Sequence, residues 1–169
     1  MKNIMPHIIS DTQAGFIPGR RIADNIIMAH ELVKWYARKN ISARSMLKVD
    51  FQKAYDSVEW VFIEQVLTEM KFLAKFIGWI MCCMKTVSYS ITINGVVTEP
   101  FEAAKGLRQG DPMSPYLFVI AMEYLSRLLN ELEYNKQYKY HPKCAKVKPT
   151  HLSFEDDLLL FARGDKVSI

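Results

Sequence analysis

Hydrophobic and polar positions change period several times along this chain, and each change marks an expected element. Residues 1–22 carry neither a helical nor a strand period; Gly15, Pro18 and Gly19 punctuate them and Arg20 and Arg21 follow, so a loop is expected. From Ala23 an apolar face forms at Ile26, Ile27, His30, Val33 and Trp35, with Glu31, Lys34, Arg38 and Lys39 mostly elsewhere. This predicts a helix with an end signal at Asn40. Across residues 45–51, Leu47, Val49 and Phe51 alternate with Met46, Lys48 and Asp50, which predicts a short strand with Asp50 turned away from the apolar side. Residues 58–70 and 74–85 read as helices. Asn94-Gly95 between two β-rich runs predicts a hairpin, because both residues tolerate positive φ. Ser114-Pro115 opens a further helix running to about Glu133, with serine as cap and proline at the first helical position. Residues 134–150 are polar and interrupted by Pro142 and Pro149, as in a loop. Two short apolar runs, 151–154 and 158–161, then flank Glu155, Asp156 and Asp157, a pattern that predicts a hairpin with acids at its tip. There is no internal repeat and no linker. The mixture predicts an α+β fold with helices on one face of a small antiparallel sheet.

Composition narrows this picture little. The chain has 169 residues, half of them apolar and about a quarter charged, as in a globular domain rather than a low-complexity one. The net charge of +4 is compatible with a phosphate-rich partner without requiring one. Cys82 and Cys83 are neighbours and Cys144 stands alone; none has zinc-site spacing, although His141 lies three residues before Cys144, and reduced thiols are expected. Met1-Lys2 is not followed by a signal-peptide core, and the longest apolar run, residues 76–84, is too short to span a bilayer. A soluble, non-secreted protein is expected.

The acids change the picture more. Adjacent carboxylates inside an apolar hairpin repel each other, and burial disfavours both ionised forms. A bound cation relieves both costs. Magnesium suits such a site because it takes hard oxygen ligands from one or two carboxylates and substrate phosphates. If the hairpin packs beside the Asp50 strand, Asp50, Asp156 and Asp157 converge. Taken alone, Asp156-Asp157 reads more readily as a solvated turn, since Asp is a common turn residue.

Four segments then combine. Asp50-Phe-Gln-Lys-Ala-Tyr-Asp56 resembles the first catalytic motif of non-LTR retrotransposon and group II intron reverse transcriptases. The run from Gly106 to Phe118, Gly-Leu-Arg-Gln-Gly-Asp-Pro-Met-Ser-Pro-Tyr-Leu-Phe, resembles their second palm motif, and Phe154-Glu-Asp-Asp157 resembles the aromatic-x-Asp-Asp box. Gln13-Ala-Gly-Phe-Ile-Pro-Gly-Arg-Arg21, followed by Asp24-Asn25, is similar to the fingers segment before them. The order and spacing are the family's, and the wording most resembles LINE-type elements of plants.

The resemblance implies a polymerase palm with partial fingers: residues 1–45 as fingers and 46–169 as palm, ending before the thumb. It implies RNA-directed DNA synthesis with an RNA template, a DNA primer and dNTP as partners, and Mg²⁺ (or Mn²⁺) held by Asp50, Asp156 and Asp157. Tyr55 would be the steric gate under the sugar. Phe51, Gln109 and Gly110 would contact the incoming nucleotide, and Arg20, Arg21 and Arg108 the nucleic acid. A nuclear or cytoplasmic location follows only from the resemblance. Lys143, Lys146 and Lys148 are expected on a solvated loop.

Two departures stand out. The family usually has a small residue, most often alanine, where this chain has Glu155. Alternation would send that side chain to the face opposite Asp156; it could also crowd the primer end or pack on an apolar layer. The resemblance implies that the family's earlier basic segment and its later palm motifs and thumb fall outside this stretch. This chain alone is therefore expected to bind a duplex weakly, with strong salt dependence, and to show very low polymerase activity. These departures leave an inactive remnant with weak nucleic-acid binding as the alternative reading. An RNA-templated RNA polymerase is disfavoured by the aromatic ring of Tyr55.

Overall fold

The computed structural model describes residues 1–34, 36, 42–144 and 149–164. In chain order the elements are α1 (Met5–Ile8), α2 (Ile22–Val33), β1 (Arg44–Asp50), α3 (Ala54–Ser57), α4 (Trp60–Glu69), α5 (Ala74–Lys85), β2 (Ser88–Tyr89), β3 (Thr92–Ile93), β4 (Val96–Val97), β5 (Phe101–Glu102), α6 (Ser114–Asn130), β6 (His151–Phe154) and β7 (Asp157–Arg163). Among the described residues no helix is long and apolar enough to cross a membrane.

Most expected elements are present, with informative shifts. α1 occupies part of the expected N-terminal loop, with Pro6 in its first turn, where the missing N–H costs nothing. α2 ends at Val33, well before Asn40, which lies outside the described residues. The backbone leaves the helix at Lys34 (ψ 127°), and the Lys143 ammonium donates to the carbonyls of Glu31 and Lys34, a cation at the carbonyl end of the helix. The turn into α6 is made by Asp111 rather than capped by Ser114. The Asp111 carboxylate accepts the Met113 N–H at 2.7 Å, and the Met113 carbonyl accepts the Leu117 N–H. A carboxylate two residues upstream of a free N–H competes well for it, so Ser114 is drawn inside the helix.

The chain forms two compact units, Met1–Gln52 with Met122–Ile169, and Lys53–Ala121. The first contains an antiparallel sheet in the order β1-β7-β6. Leu32 of α2 packs with Leu152, Phe161 and Cys144, and Met28, Ala29, Tyr140 and Leu159 close around them. His151, one position before Leu152 and so on the opposite face, meets Ser126 of α6. Glu123 of α6 is only 3% exposed and spends its carboxylate on Ser10 and Arg127. Residues 1–45, expected as partial fingers, belong to this unit together with the three strands.

In the second unit α4 and α5 pack together, burying Ile63, Val66 and Leu67 of one and Ile77, Ile80 and Met81 of the other. Asn94 and Gly95 have φ of 50° and 84°, as a two-residue hairpin turn between β3 and β4 requires. The segment before α6 is fastened to α3. Gly106 N–H donates to Val58, Leu107 N–H to Tyr55, and the Trp60 indole N–H to the Gly106 carbonyl, each at 2.8 Å. Gly106 has φ +88°, and a Cβ there would meet the Asp56 carbonyl oxygen at 3.0 Å; at Gly95 a Cβ would meet nothing within 4 Å. Both Gly→Ala changes incur left-handed strain of about 1–2 kcal/mol, but only Gly106→Ala adds the collision. Urea denaturation should therefore show the larger loss for Gly106→Ala; equal losses would contradict the close approach.

Candidate active site

β1 and β7 pair so that Asp50, the last residue of β1, stands directly opposite Asp157, the first residue of β7. Alternation places Lys48, Asp50, Asp157 and Leu159 on one face. Asp156 precedes Asp157 in the turn that links β6 to β7. The tip is therefore shorter than the sequence pattern suggested. Phe154 pairs with Asp157, and only Glu155 and Asp156 lie between them. Asp157 belongs to the strand, where the ladder fixes its direction.

The Lys48 ammonium lies 2.8 Å from Asp157 Oδ1, with the two side chains 58% and 47% exposed. That hydrogen bond raises the lysine pKa above its ordinary value, helped by the charges of Asp157, Asp50 and Asp156. The acid-rich strand end thus already holds a cation. Among the described residues no three His, Cys, Asp or Glu side chains close around one point as a finished metal cluster. The donor chemistry nevertheless fits a hard divalent ion. Two carboxylates face each other across one ladder, a third is adjacent, and their partial exposure leaves room for water and phosphate oxygens.

Glu155 departs from the expectation of strand alternation. Its φ is +54°, at the first central position of the two-residue turn, where glycine is the favoured residue in a type II′ turn. The side chain leaves the ladder and its Cγ comes up against Gly15, where an added Cβ would lie only 2.9 Å away. Burial and then the charge of Asp156 push its carboxyl pKa up.

Arg20 and Arg21 differ sharply. The Arg20 side chain is 17% exposed, and its guanidinium donates to the carbonyls of Ser10, Gln13 and Ile9 at 2.6–2.8 Å, and to Asp11 at 3.1 Å. Its role is to hold the loop that carries Gln13. Arg21 stays 78% exposed, with a loose contact to Asp24 at 3.4 Å. In the second unit, Tyr55 on α3 stacks on Phe118 at 4.6 Å with 13° between the rings. Arg108, Gln109 and Gly110 are exposed, and Gly110 has φ +88°. Phe51 is half-buried just past β1. Lys143 caps α2, whereas Lys146 and Lys148 lie outside the described residues. Sequence reasoning missed Lys48, although its i−2 spacing from Asp50 on a strand already placed both on one face.

The fold, helices with a small antiparallel sheet, is of the polymerase palm type. The sequence profile described as "Reverse transcriptase (RNA-dependent DNA polymerase)" matches residues 1–168, and the chain belongs to that family. Its relatives include the Pol polyprotein of a type-1 retrotransposable element R2 from Nasonia vitripennis, 32% identical over 160 residues, covering 92% of this chain and 14% of the relative. The polyprotein of type-2 element R2DM from Drosophila melanogaster is 29% identical over 150 residues, covering 89% of this chain and 13% of the relative. A telomerase from Candida tropicalis, solved with a fragment of telomeric RNA, shares the fold at a TM-score of 0.62 and 14% identity, over 97% of this chain and 27% of that one. The chain therefore spans about an eighth of the R2 relatives.

Proposed function

We propose that this chain carries the nucleotidyl-transfer centre of an RNA-templated DNA polymerase of a non-LTR retroelement. The primer 3′-hydroxyl attacks the α-phosphate of a deoxynucleoside triphosphate, and pyrophosphate leaves. The observation that carries this reading is the register of Asp50 opposite Asp157, with Asp156 next to it in the turn. When bound, a pair of Mg²⁺ (or Mn²⁺) ions supplies a lowered pKa at the attacking hydroxyl and charge neutralisation at the leaving phosphate. The residues that would hold them are Asp50, Asp156 and Asp157. The chain's own contribution is positioning: the β1–β7 ladder fixes Asp50 and Asp157 before substrate arrives, so little reorganisation remains at the moment of reaction.

In the same reading residues 1–45 form part of the fingers and 46–169 the palm. Arg21 and Arg108, both exposed cations, meet nucleic-acid phosphate, and Arg20 acts through the loop it ties. Phe51, Gln109 and Gly110 lie along the nucleotide. Tyr55 rejects the ribose 2′-hydroxyl by steric overlap, its ring held by the stack on Phe118.

The test is extension of a DNA primer on an RNA template at low ionic strength, with the chain in excess so that weak duplex affinity does not mask chemistry. Slow template-directed dNTP addition is expected, far below robust extension. Tyr55→Val should lower the preference for dNTP over rNTP by about 10²-fold, the scale on which an apolar site discriminates one hydroxyl. Phe118→Leu should lower it less, by loosening the same ring. Unchanged discrimination in Tyr55→Val would remove the gate from this reading.

A further inference from the structure

The turn that carries Asp156 and Asp157 is built against its own preferences. It has two central residues, and the first, Glu155, takes a positive φ without being glycine. It also places neighbouring negative charges at a strand end. Something outside the hairpin has to hold it, and the structure shows what does.

Residues 12–14 run alongside β6. The Ser153 N–H donates to the Thr12 carbonyl at 2.9 Å, the Ala14 N–H donates to the Ser153 carbonyl at 3.1 Å, and Gln13 bridges Ser153 in parallel. The Asn25 amide ties the same two carbonyls together, Thr12 and Ser153, at 3.2 Å each. From this rail the Gln13 side chain, 1% exposed, reaches the turn. Its Oε1 accepts the Gly15 N–H at 2.8 Å and the Glu155 N–H at 3.3 Å. Gly15 itself is pressed against the turn: an added Cβ would lie 2.9 Å from the Glu155 backbone nitrogen and 2.9 Å from its Cγ. Two donors on one oxygen also fix which way the Gln13 amide points.

We propose that Gln13 and Gly15 are positioning residues for the metal-binding carboxylates, clamping the Glu155–Asp156 turn from behind so that Asp156 and Asp157 are presented to the cation. The proposal rests on the reading of Asp50, Asp156 and Asp157 as metal ligands. One detail separates positioning from plain stability. Gln13 Nε2 is buried with no hydrogen-bond partner among the described atoms, as is Ser153 Oγ. A buried amide with an unpaired end is a poor choice for stability. Methionine at position 13 would fill the space and remove the unpaired group, but would leave the Gly15 and Glu155 N–H groups without their acceptor, so its stability has to be matched by a control.

The experiment uses the full chain and Mn²⁺ as the probe, titrated by electron paramagnetic resonance of the free ion, with amide hydrogen exchange at Glu155 and thermal melts on the same samples. The variants are Gln13→Met, Gly15→Ala, Asp157→Asn and the core control Leu32→Val. Gln13→Met and Gly15→Ala are expected to weaken Mn²⁺ binding about tenfold, the scale seen when outer partners of metal ligands are removed. Gln13→Met should do so with faster exchange at Glu155, while Leu32→Val, at a comparable drop in melting temperature, binds Mn²⁺ like the wild type. If Asp157→Asn loses Mn²⁺ while Gln13→Met and Gly15→Ala both bind it normally, the clamp is refuted and the ligand assignment stands. If Asp157→Asn binds Mn²⁺ like the wild type, the ligand assignment fails and the clamp with it. Should the variants not fold, the wild type still decides: an unprotected Glu155 amide overturns the proposal.

Discussion

Between pH 6.5 and pH 4 the unit containing the acids is expected to lose much of its stability, because two buried histidines must take up protons to unfold. His141 and His151 have no exposed surface, and burial pulls both down to about 4, with Arg44 and Lys143 adding to the effect at His141. Their hydrogen bonds suit the neutral ring. His141 Nδ1 accepts the Lys143 N–H, so its Nε2 carries the proton, 3.0 Å from the Tyr36 hydroxyl. His151 joins Thr150, Thr12 and Ser126 through both nitrogens. The unfolded chain binds protons from 6.5 downward and the folded one only near 4. Stability from these rings is therefore complete above about pH 6.5, falls through the window, and is gone below about 4. A displacement of this size is worth about 3 kcal/mol per ring, and two of them approach the whole stability of a typical domain, about 5–15 kcal/mol. Urea denaturation at intervals from pH 7.5 to 5 avoids most carboxylate titration. His141→Phe, which retains a ring to stack on Tyr36 and meet Phe161 edge-on, should show about half the wild-type pH slope. Identical slopes would remove His141 from the account.

What the sequence made legible follows from how local each cause is. α5 falls on its expected residues because its apolar face repeats within one helix. The β3–β4 turn follows from Asn94-Gly95 alone. Alternation along β1 placed Lys48 and Asp50 on one side, and the register with β7 then made Asp157 their neighbour. The misses have distant causes. α2 stops at Val33, where the Lys34 backbone turns to ψ 127° and Lys143, more than a hundred residues later, takes the carbonyls of Glu31 and Lys34. Charge and motif point Arg20 at nucleic acid, yet its guanidinium is spent on loop carbonyls that no pattern in the chain announces. Strand alternation sends Glu155 to one face, but it is the first residue of a two-residue turn, and the left-handed backbone there redirects the side chain. Gln13 lies inside the fingers-like segment; only the parallel pairing with Ser153 shows that it reaches the Glu155–Asp156 turn.

Asp50→Asn is expected to lower primer extension by about 10³-fold, the scale of removing a preorganised electrostatic partner of a transition state, while leaving the metal-free protein at least as stable as the wild type. The two results have one origin. Asp50 and Asp157 stand directly opposite in an antiparallel ladder, and like charges so placed destabilise it by roughly 0.2–1 kcal/mol. Asparagine keeps the shape and removes the repulsion. The acids are thus a cost to the unliganded fold that a divalent cation reverses. At a hundredfold excess of Mg²⁺ over its dissociation constant, binding should stabilise the wild type by about 2.7 kcal/mol, and Asp50→Asn by much less. Asp157→Asn provides the contrast. It should lose activity similarly, but it also gives up the solvent-screened ion pair with Lys48. Its metal-free melting temperature should therefore lie at or below that of Asp50→Asn. If Mg²⁺ raised the melting temperature of all three proteins equally, or Asp50→Asn extended primers at the wild-type rate, Asp50 would not be a metal ligand, and the strand-end acids would be an ordinary solvated pair held by Lys48.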